Sequence, residues 1–208
     1  TDAEQIALYK RLGGVWAGHL GKDPSALDAW LCADRLDPSD FETLTALAGL
    51  YRSTQSWDEL SQTLRRIIDV GQDQDKLTED QVIELYAELG RLEGDVLGRV
   101  DEAVAAWRSV LAIDAGDFRA LAALEGLFTR EARWEEAIEV LEKRALVQEE
   151  TVDRIDTLLQ AGATWEEKVE NLDAAAEVYE RVRAIDSTNV VASDRLEAIY
   201  QQQYKWPE

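Results

Sequence analysis

The chain has 208 residues, 46% of them hydrophobic, enough to build a buried core and too many for a disordered segment. Its 22 basic and 43 acidic residues leave a net charge of −21, which repels phosphate backbones and anionic lipid and so argues against nucleic-acid binding. No run of about 18 apolar residues occurs, so no membrane-spanning helix is expected. Cys32 is the only cysteine and His19 the only histidine. A disulfide framework, a cysteine-rich metal site and a His-pair zinc motif are thereby excluded. Cys32 reads as a small apolar filler on a helix, and His19 as a helix-surface residue. The first residues, TDAEQIALYK, have neither a basic start nor an apolar signal segment. The sequence contains no methionine, so Thr1 is expected not to be the translational start. The cellular compartment stays open, with the cytoplasm favoured.

In chain order, apolar residues at helical spacing predict eleven helices: about 3–19, 24–36, 40–53, 57–70, 79–96, 100–113, 117–130, 134–147, 152–168, 172–185 and 189–204. Leu44, Leu47, Ala48 and Tyr51 form one stripe, and Leu60, Leu64 and Ile67 the next. Leu121, Leu124, Leu127 and Phe128 answer the first, and Ala137, Leu141 and Ala145 the second. No β-branched run alternates with period two, so strands are not expected. Ser39 with Glu42, Ser56 with Glu59 and Thr78 with Gln81 have capping-box spacing. Pro24 and Pro207 suit a first helical turn, where a missing amide costs nothing, and Pro38 falls in the turn LDPSD.

The stripes recur with a long period. Trp57, Trp134 and Trp206 are related by steps of 77 and 72, and the same steps relate Gly13, Gly90 and Gly162. They also relate Trp30, Trp107 and Tyr179; Asp37, Asp114 and Asp186; Leu47, Leu124 and Leu196; and Tyr51, Phe128 and Tyr200. The shorter second step arises because about five residues of the GQDQDK region have no counterpart after Arg144. All seven tryptophans fall into three columns, Trp16 and Trp165 sharing theirs with Glu93. A packing aromatic recurs wherever its packing recurs, so these rings are expected mostly in the core.

Each long unit divides into two helix pairs of about 34 residues, with large and small residues at fixed offsets. Leu44, Leu47, Ala48, Tyr51, Trp57, Leu60, Leu64 and Ile67 fill the pattern positions of one pair. Leu121, Leu124, Glu125, Phe128, Trp134, Ala137 and Leu141 fill those of another. Leu12–Gly13, Ala26, Trp30, Ala33 and Pro38 mark the first, Tyr86, Leu89–Gly90, Ala103, Trp107 and Val110 the third, and Ala161–Gly162, Ala175, Tyr179 and Val182 the fifth. This pattern resembles the tetratricopeptide repeat family. Leu60 in the small slot and Glu125 in the glycine slot depart from it, and the odd-numbered pairs carry an extra residue in their turns (LGKD, LGRV).

The resemblance implies an all-α, right-handed α-solenoid of antiparallel helix pairs, about five and a half repeats in a single domain over 1–208. The repeats fall at about 6–38, 41–74, 83–115, 118–150, 155–187 and 190–208 (partial). Trp206-Pro207-Glu208 aligns with the start of a second helix, so either a fragment of a longer array or some other cover over residues 189–204 is expected, since the stripe Val191, Leu196, Ile199 and Tyr200 would otherwise be exposed. The resemblance places a concave binding face on the first helix of each pair. Its positions here are Lys10; Glu42, Thr45, Gly49 and Arg52; and Glu84, Ala87, Arg91 and Gly94. They continue with Arg119, Ala122, Gly126, Thr129 and Arg130; Asp156, Leu159, Ala163 and Glu166; and Asp194, Ala198 and Gln201. No Asn stands at any of these positions, so the clamp by which some family members hold a chaperone's C-terminal carboxylate is not expected.

The function implied is a non-catalytic scaffold for a protein or peptide. The partner is either basic overall or carries an acidic segment for Arg52, Arg91, Arg119 and Arg130, unless these arginines pair with nearby Glu42, Glu84 and Glu131. The alternative is self-association into dimers or filaments through the terminal helices. Acidic pairs such as Asp153 with Asp156 or Glu166 with Glu167 are the only hint of acid–base or metal chemistry, and at this charge density they read as solvated helix faces. The sequence holds no Gly-rich phosphate loop, Gly-x-Ser-x-Gly or His-Glu-x-x-His. No enzyme activity, cofactor or metal is expected.

Overall fold

A computed structural model describes residues 1–19 and 23–203 of the chain. The described residues form helices joined by short turns, with no strand among them: α1 (Asp2–His19), α2 (Asp23–Leu36), α3 (Phe41–Ser53), α4 (Trp57–Asp73), α5 (Glu79–Arg91), α6 (Val100–Ile113), α7 (Phe118–Arg130), α8 (Trp134–Val147), α9 (Thr151–Glu167), α10 (Leu172–Ile185) and α11 (Val190–Gln203). A π-helical turn, Leu92–Val96, continues α5. The expected turn at 20–22 and the expected roles of Trp206 and Pro207 lie outside the described residues, as does the side chain of His19. The chain folds as two compact units, Thr1–Ile113 and Asp114–Glu208. The division falls at the end of the third expected repeat, after Ile113.

Helix starts are fixed by short polar side chains that satisfy orphan amides. Asp40 caps α3, accepting from the Thr43 amide at 3.0 Å. Asp117 caps α7, accepting from the amides of Arg119 and Ala120 at 2.8 and 3.0 Å. Asn189 continues that column, its Oδ1 accepting from the Ala192 amide at 2.9 Å. The expected box of Thr78 with Gln81 forms with both of its hydrogen bonds. Two others do not. Ser39 turns back to donate to Asp37 through its amide and hydroxyl, leaving the cap to Asp40 one residue later. Ser56 makes no cap bond, and its hydroxyl lies 3.0 Å from that of Thr54. The Asp37, Asp114 and Asp186 column also acquires a role. Each carboxylate accepts from the amide two residues on, closing the turn before the next helix.

Packing within each pair turns on the glycine and aromatic columns. A Cβ added to Gly13 would lie 2.4 Å from the Trp30 ring, one on Gly90 would lie 2.6 Å from Trp107, and one on Gly162 2.6 Å from Tyr179. Trp30, Trp107 and Tyr179 are buried because the facing helix has no side chain there. The described tryptophans of the other two columns, Trp16, Trp57, Trp134 and Trp165, are only half-buried. Trp16 and Trp57 pack at the edge of one core, Trp165 at the edge of the other, and Trp134 lies under the Lys168 ammonium at 5.7 Å. One core, in residues 1–113, gathers Ala26, Leu44, Leu47, Leu60 and Leu64. The other, in 114–208, gathers Ile138, Leu141, Leu158, Tyr179 and Leu196. At the C-terminal end Leu196 and Ile199 are buried, while Val191 and Tyr200 of the same expected stripe are exposed.

The turns repeat as the residues do. Gln55 and Ala132 both adopt positive φ, and the bonds Ser56 N to Tyr51 O and Arg133 N to Phe128 O close α3 and α7 alike. Gly98 and Glu170 are likewise equivalent and left-handed, but their closing bonds, Arg99 N to Glu93 O and Asn171 N to Trp165 O, span one residue more. That wider loop absorbs the extra residue of the odd-numbered pairs. In the third pair it is taken up as the π turn, which carries Glu93 into the core at the place of Trp16 and Trp165. Glu93 accepts from Ser61 Oγ at 2.5 Å and Arg65 Nη2 at 2.7 Å, with Arg99 3.6 Å from its other oxygen.

Candidate functional site

α4 runs three residues past its expected end, to Asp73. Gly71 permits this: a Cβ there would meet Leu77 at 2.4 Å and Phe41 at 2.9 Å. Asp75 then turns with φ +51° and Lys76 N bonds to Gly71 O at 2.8 Å, folding the chain back on the helix end. The GQDQDK insertion thus lays Leu77 over Gly71, where Phe41 also comes close, and borders a groove between α3 and α5 of about 480 Å³. Its floor is Phe41, Ala48, Leu64, Ile67, Leu77 and Leu85. Thr45 and Arg52 line it from α3, and Asp80 and Glu84 from α5.

Three of the residues that the resemblance assigned to a binding face therefore meet here: Thr45, Arg52 and Glu84. Thr45 Oγ1 donates to the Phe41 carbonyl at 2.8 Å. Arg52 donates through Nε and Nη2 to one Glu88 oxygen, at 3.0 and 2.7 Å. Gly49, on α3, is exposed, and a Cβ there would meet nothing within 4 Å. Phe41, Leu77, Asp80 and Leu85 escaped the sequence reading, although the unmatched GQDQDK segment marked the place.

Lys10 is engaged structurally. Its ammonium pairs with Asp40 at 2.9 Å and with Glu42, tying α1 to the first turn of α3. Its partial burial opposes the charge, but the hydrogen bonds to Glu42 and Asp40 outweigh that and raise its pKa. The Asp40 carboxyl is likewise opposed by burial, yet held below its usual range by Thr43 and Lys10. Ala87 and Gly94, expected on the binding face, are buried instead: the helix turns them into the core beside Leu89 and Glu93. Arg91 lies over the Trp107 ring, 5.9 Å from its centroid.

In residues 114–208, Arg119 is bound to the cap residue Asp117 at 2.8 Å, which holds that carboxyl below its ordinary value. Arg130 lies 3.6 Å from Glu131, as expected. Gly126 is exposed with open space around it. Asp156 and Asp194 are exposed. Glu125, in the glycine slot, accepts from Arg144 and from Gln160 Nε2 at 2.8 Å, joining α7, α8 and α9. Glu166 accepts from the Tyr179 hydroxyl at 3.0 Å and faces Arg195 at 3.4 Å. The Tyr179 pKa is raised, first by burial and then by Glu166. Among the described residues no group of three or more His, Cys, Asp or Glu is placed to hold a metal ion. No described helix is long and apolar enough to cross a membrane.

Antiparallel helix pairs locked by a small residue against an aromatic ring define the class, an all-α helical-repeat protein. Residues 120–152 match the family model described as Tetratricopeptide repeat. Similar solved structures include MamA, at 17% identity over 99% of this chain and 98% of that one, with a TM-score of 0.49. YrrB, a TPR protein with an unusual peptide-binding site, is 17% identical over 91% of this chain and 90% of that one, with a TM-score of 0.47. A tetratricopeptide repeat protein from Parabacteroides merdae is 16% identical over 97% and 75%, with a TM-score of 0.48. No curated protein matches the sequence.

Proposed function

We propose that the chain is a non-catalytic interaction scaffold, and that residues 1–113 receive a protein or peptide segment in the groove between α3 and α5. The observation that carries this reading is the apolar floor, open to solvent and bordered by Thr45, Arg52, Asp80 and Glu84. A concave, mostly apolar site with a few placed polar groups is the common form of a binding site. The exposed Gly49 adds a stretch of α3 backbone that a partner can approach. The arginines expected to form a basic stretch contribute differently, since Arg52, Arg119 and Arg130 each face a carboxylate of their own unit.

The test is selection of peptides from a random displayed library on the immobilised chain, followed by affinity measurement against Thr45→Trp, which fills the groove from an exposed position. Selected peptides are expected to lose binding to this variant while its melting curve stays unchanged. Peptides that bind it as well as the parent chain place the site elsewhere.

Self-association is the second reading. Val190, Val191 and Tyr200 on α11, and Leu8 and Val15 on α1, are exposed apolar side chains of the terminal helices. Light scattering that finds a monomer at high concentration dismisses it.

A further inference from the structure

We infer that the segment received between α3 and α5 is cationic and apolar: a Leu-, Ile- or Phe-like side chain seated on the floor, with a Lys or Arg one or two residues away directed at α5. This rests on the scaffold reading and adds the chemistry of the partner.

Two features carry it. The first is the floor, where Leu64, Ile67, Leu77 and Leu85 converge and offer a bulky apolar side chain release from water. The second is the balance of charge at its border. Asp80 and Glu84 stand one helical turn apart on α5, where residues four apart share a face. Asp80 makes no ion pair among the described residues. The cation at the border, Arg52, is bound through two nitrogens to Glu88. An acidic segment would therefore meet the carboxylate of Asp80 while the guanidinium at the border is already engaged, whereas a lysine or arginine gains Asp80 as a partner of opposite sign. The net charge of −21 acts in the same direction, drawing basic segments from a distance.

The same displayed library separates the outcomes. Peptides that lose binding to Thr45→Trp are expected to share a Lys or Arg beside a Leu, Ile or Phe. Their affinity is expected to fall roughly twofold or more for the double variant Asp80→Asn/Glu84→Gln, as loss of one exposed ion pair at Asp80 and of the negative charge beside it allows. Asp80→Glu, which keeps the charge, is expected to retain affinity. Raising salt from about 0.05 to 0.5 M is expected to weaken the parent chain more than the double variant. Peptides that are sensitive to Thr45→Trp but acidic, or indifferent to the double variant and to salt, overturn this inference and leave the scaffold reading standing. If no selected peptide is sensitive to Thr45→Trp, both fall.

Discussion

Trp107 lies against Gly90 so closely that a methyl group on the glycine would sit 2.6 Å from the indole nitrogen. Gly90→Ala is therefore expected to push the ring or separate α5 from α6, at a cost of about 1–3 kcal/mol. Gly126 is also helical but faces open space, so Gly126→Ala is expected to stabilise by up to about 1 kcal/mol through helix propensity alone. Urea unfolding of the two variants measures both signs. A Gly90→Ala variant as stable as the parent would remove the close packing from the account of the repeat.

Asp117 joins a cap to an ion pair, and its depressed pKa sets an acid limit. The Arg119 hydrogen bond outweighs partial burial and lowers the folded value below the ordinary 3.8. A carboxyl with a lowered folded pKa contributes stability above its unfolded value, and that contribution is lost as pH falls from there through the folded value. Stability is thus expected to decline from about pH 4 downward, with Asp40 acting in the same sense. Asp117→Asn, which copies Asn189 of the same column, keeps the cap and is expected to flatten this decline. Asp117→Ala loses the cap too and is expected to cost about 1 kcal/mol at neutral pH. Unfolding midpoints against pH for the two variants decide the matter.

Glu93 is 1% exposed, beside the buried Ser61. Glu93→Ala is expected to lower stability by about 1–3 kcal/mol, because Ser61 loses its acceptor and a gap opens. A double-mutant cycle with Arg65→Ala measures the ion-pair share, and additivity of the two changes would show that the pair is not coupled.

Tyr179→Phe removes a single hydroxyl from a buried ring, together with its bond to Glu166 at 3.0 Å. A loss of about 1 kcal/mol is expected in chemical denaturation. Tyr179→Trp restores the residue type of Trp30 and Trp107, and its larger ring is expected to be tolerated only if Gly162 stays a glycine.

The period was legible because a packing lock has to recur at each joint. Gly13, Gly90 and Gly162 could be matched with Trp30, Trp107 and Tyr179 by spacing alone, and the structure puts each pair in contact. Helix limits followed from apolar spacing to within a few residues. Caps were harder. Ser39 has the spacing of a cap, but Asp37 takes up its amide and hydroxyl, and the cap passes to Asp40. On the expected binding face the sequence names Arg52 but not Glu88, the carboxylate that folding brings to it.

By itself, then, the sequence determined the helices, their pairing period and the residues that interlock within each pair, because these depend on spacing along one chain. Tertiary structure alone decided how the departures from the pattern are used. Glu93 enters the core because a π turn carries it there to Ser61 and Arg65, and the GQDQDK insertion becomes the wall of a groove because Gly71 leaves room for Leu77 to fold back over it. Both outcomes depend on which distant side chains come within reach, a property of the packed chain and not of any local pattern.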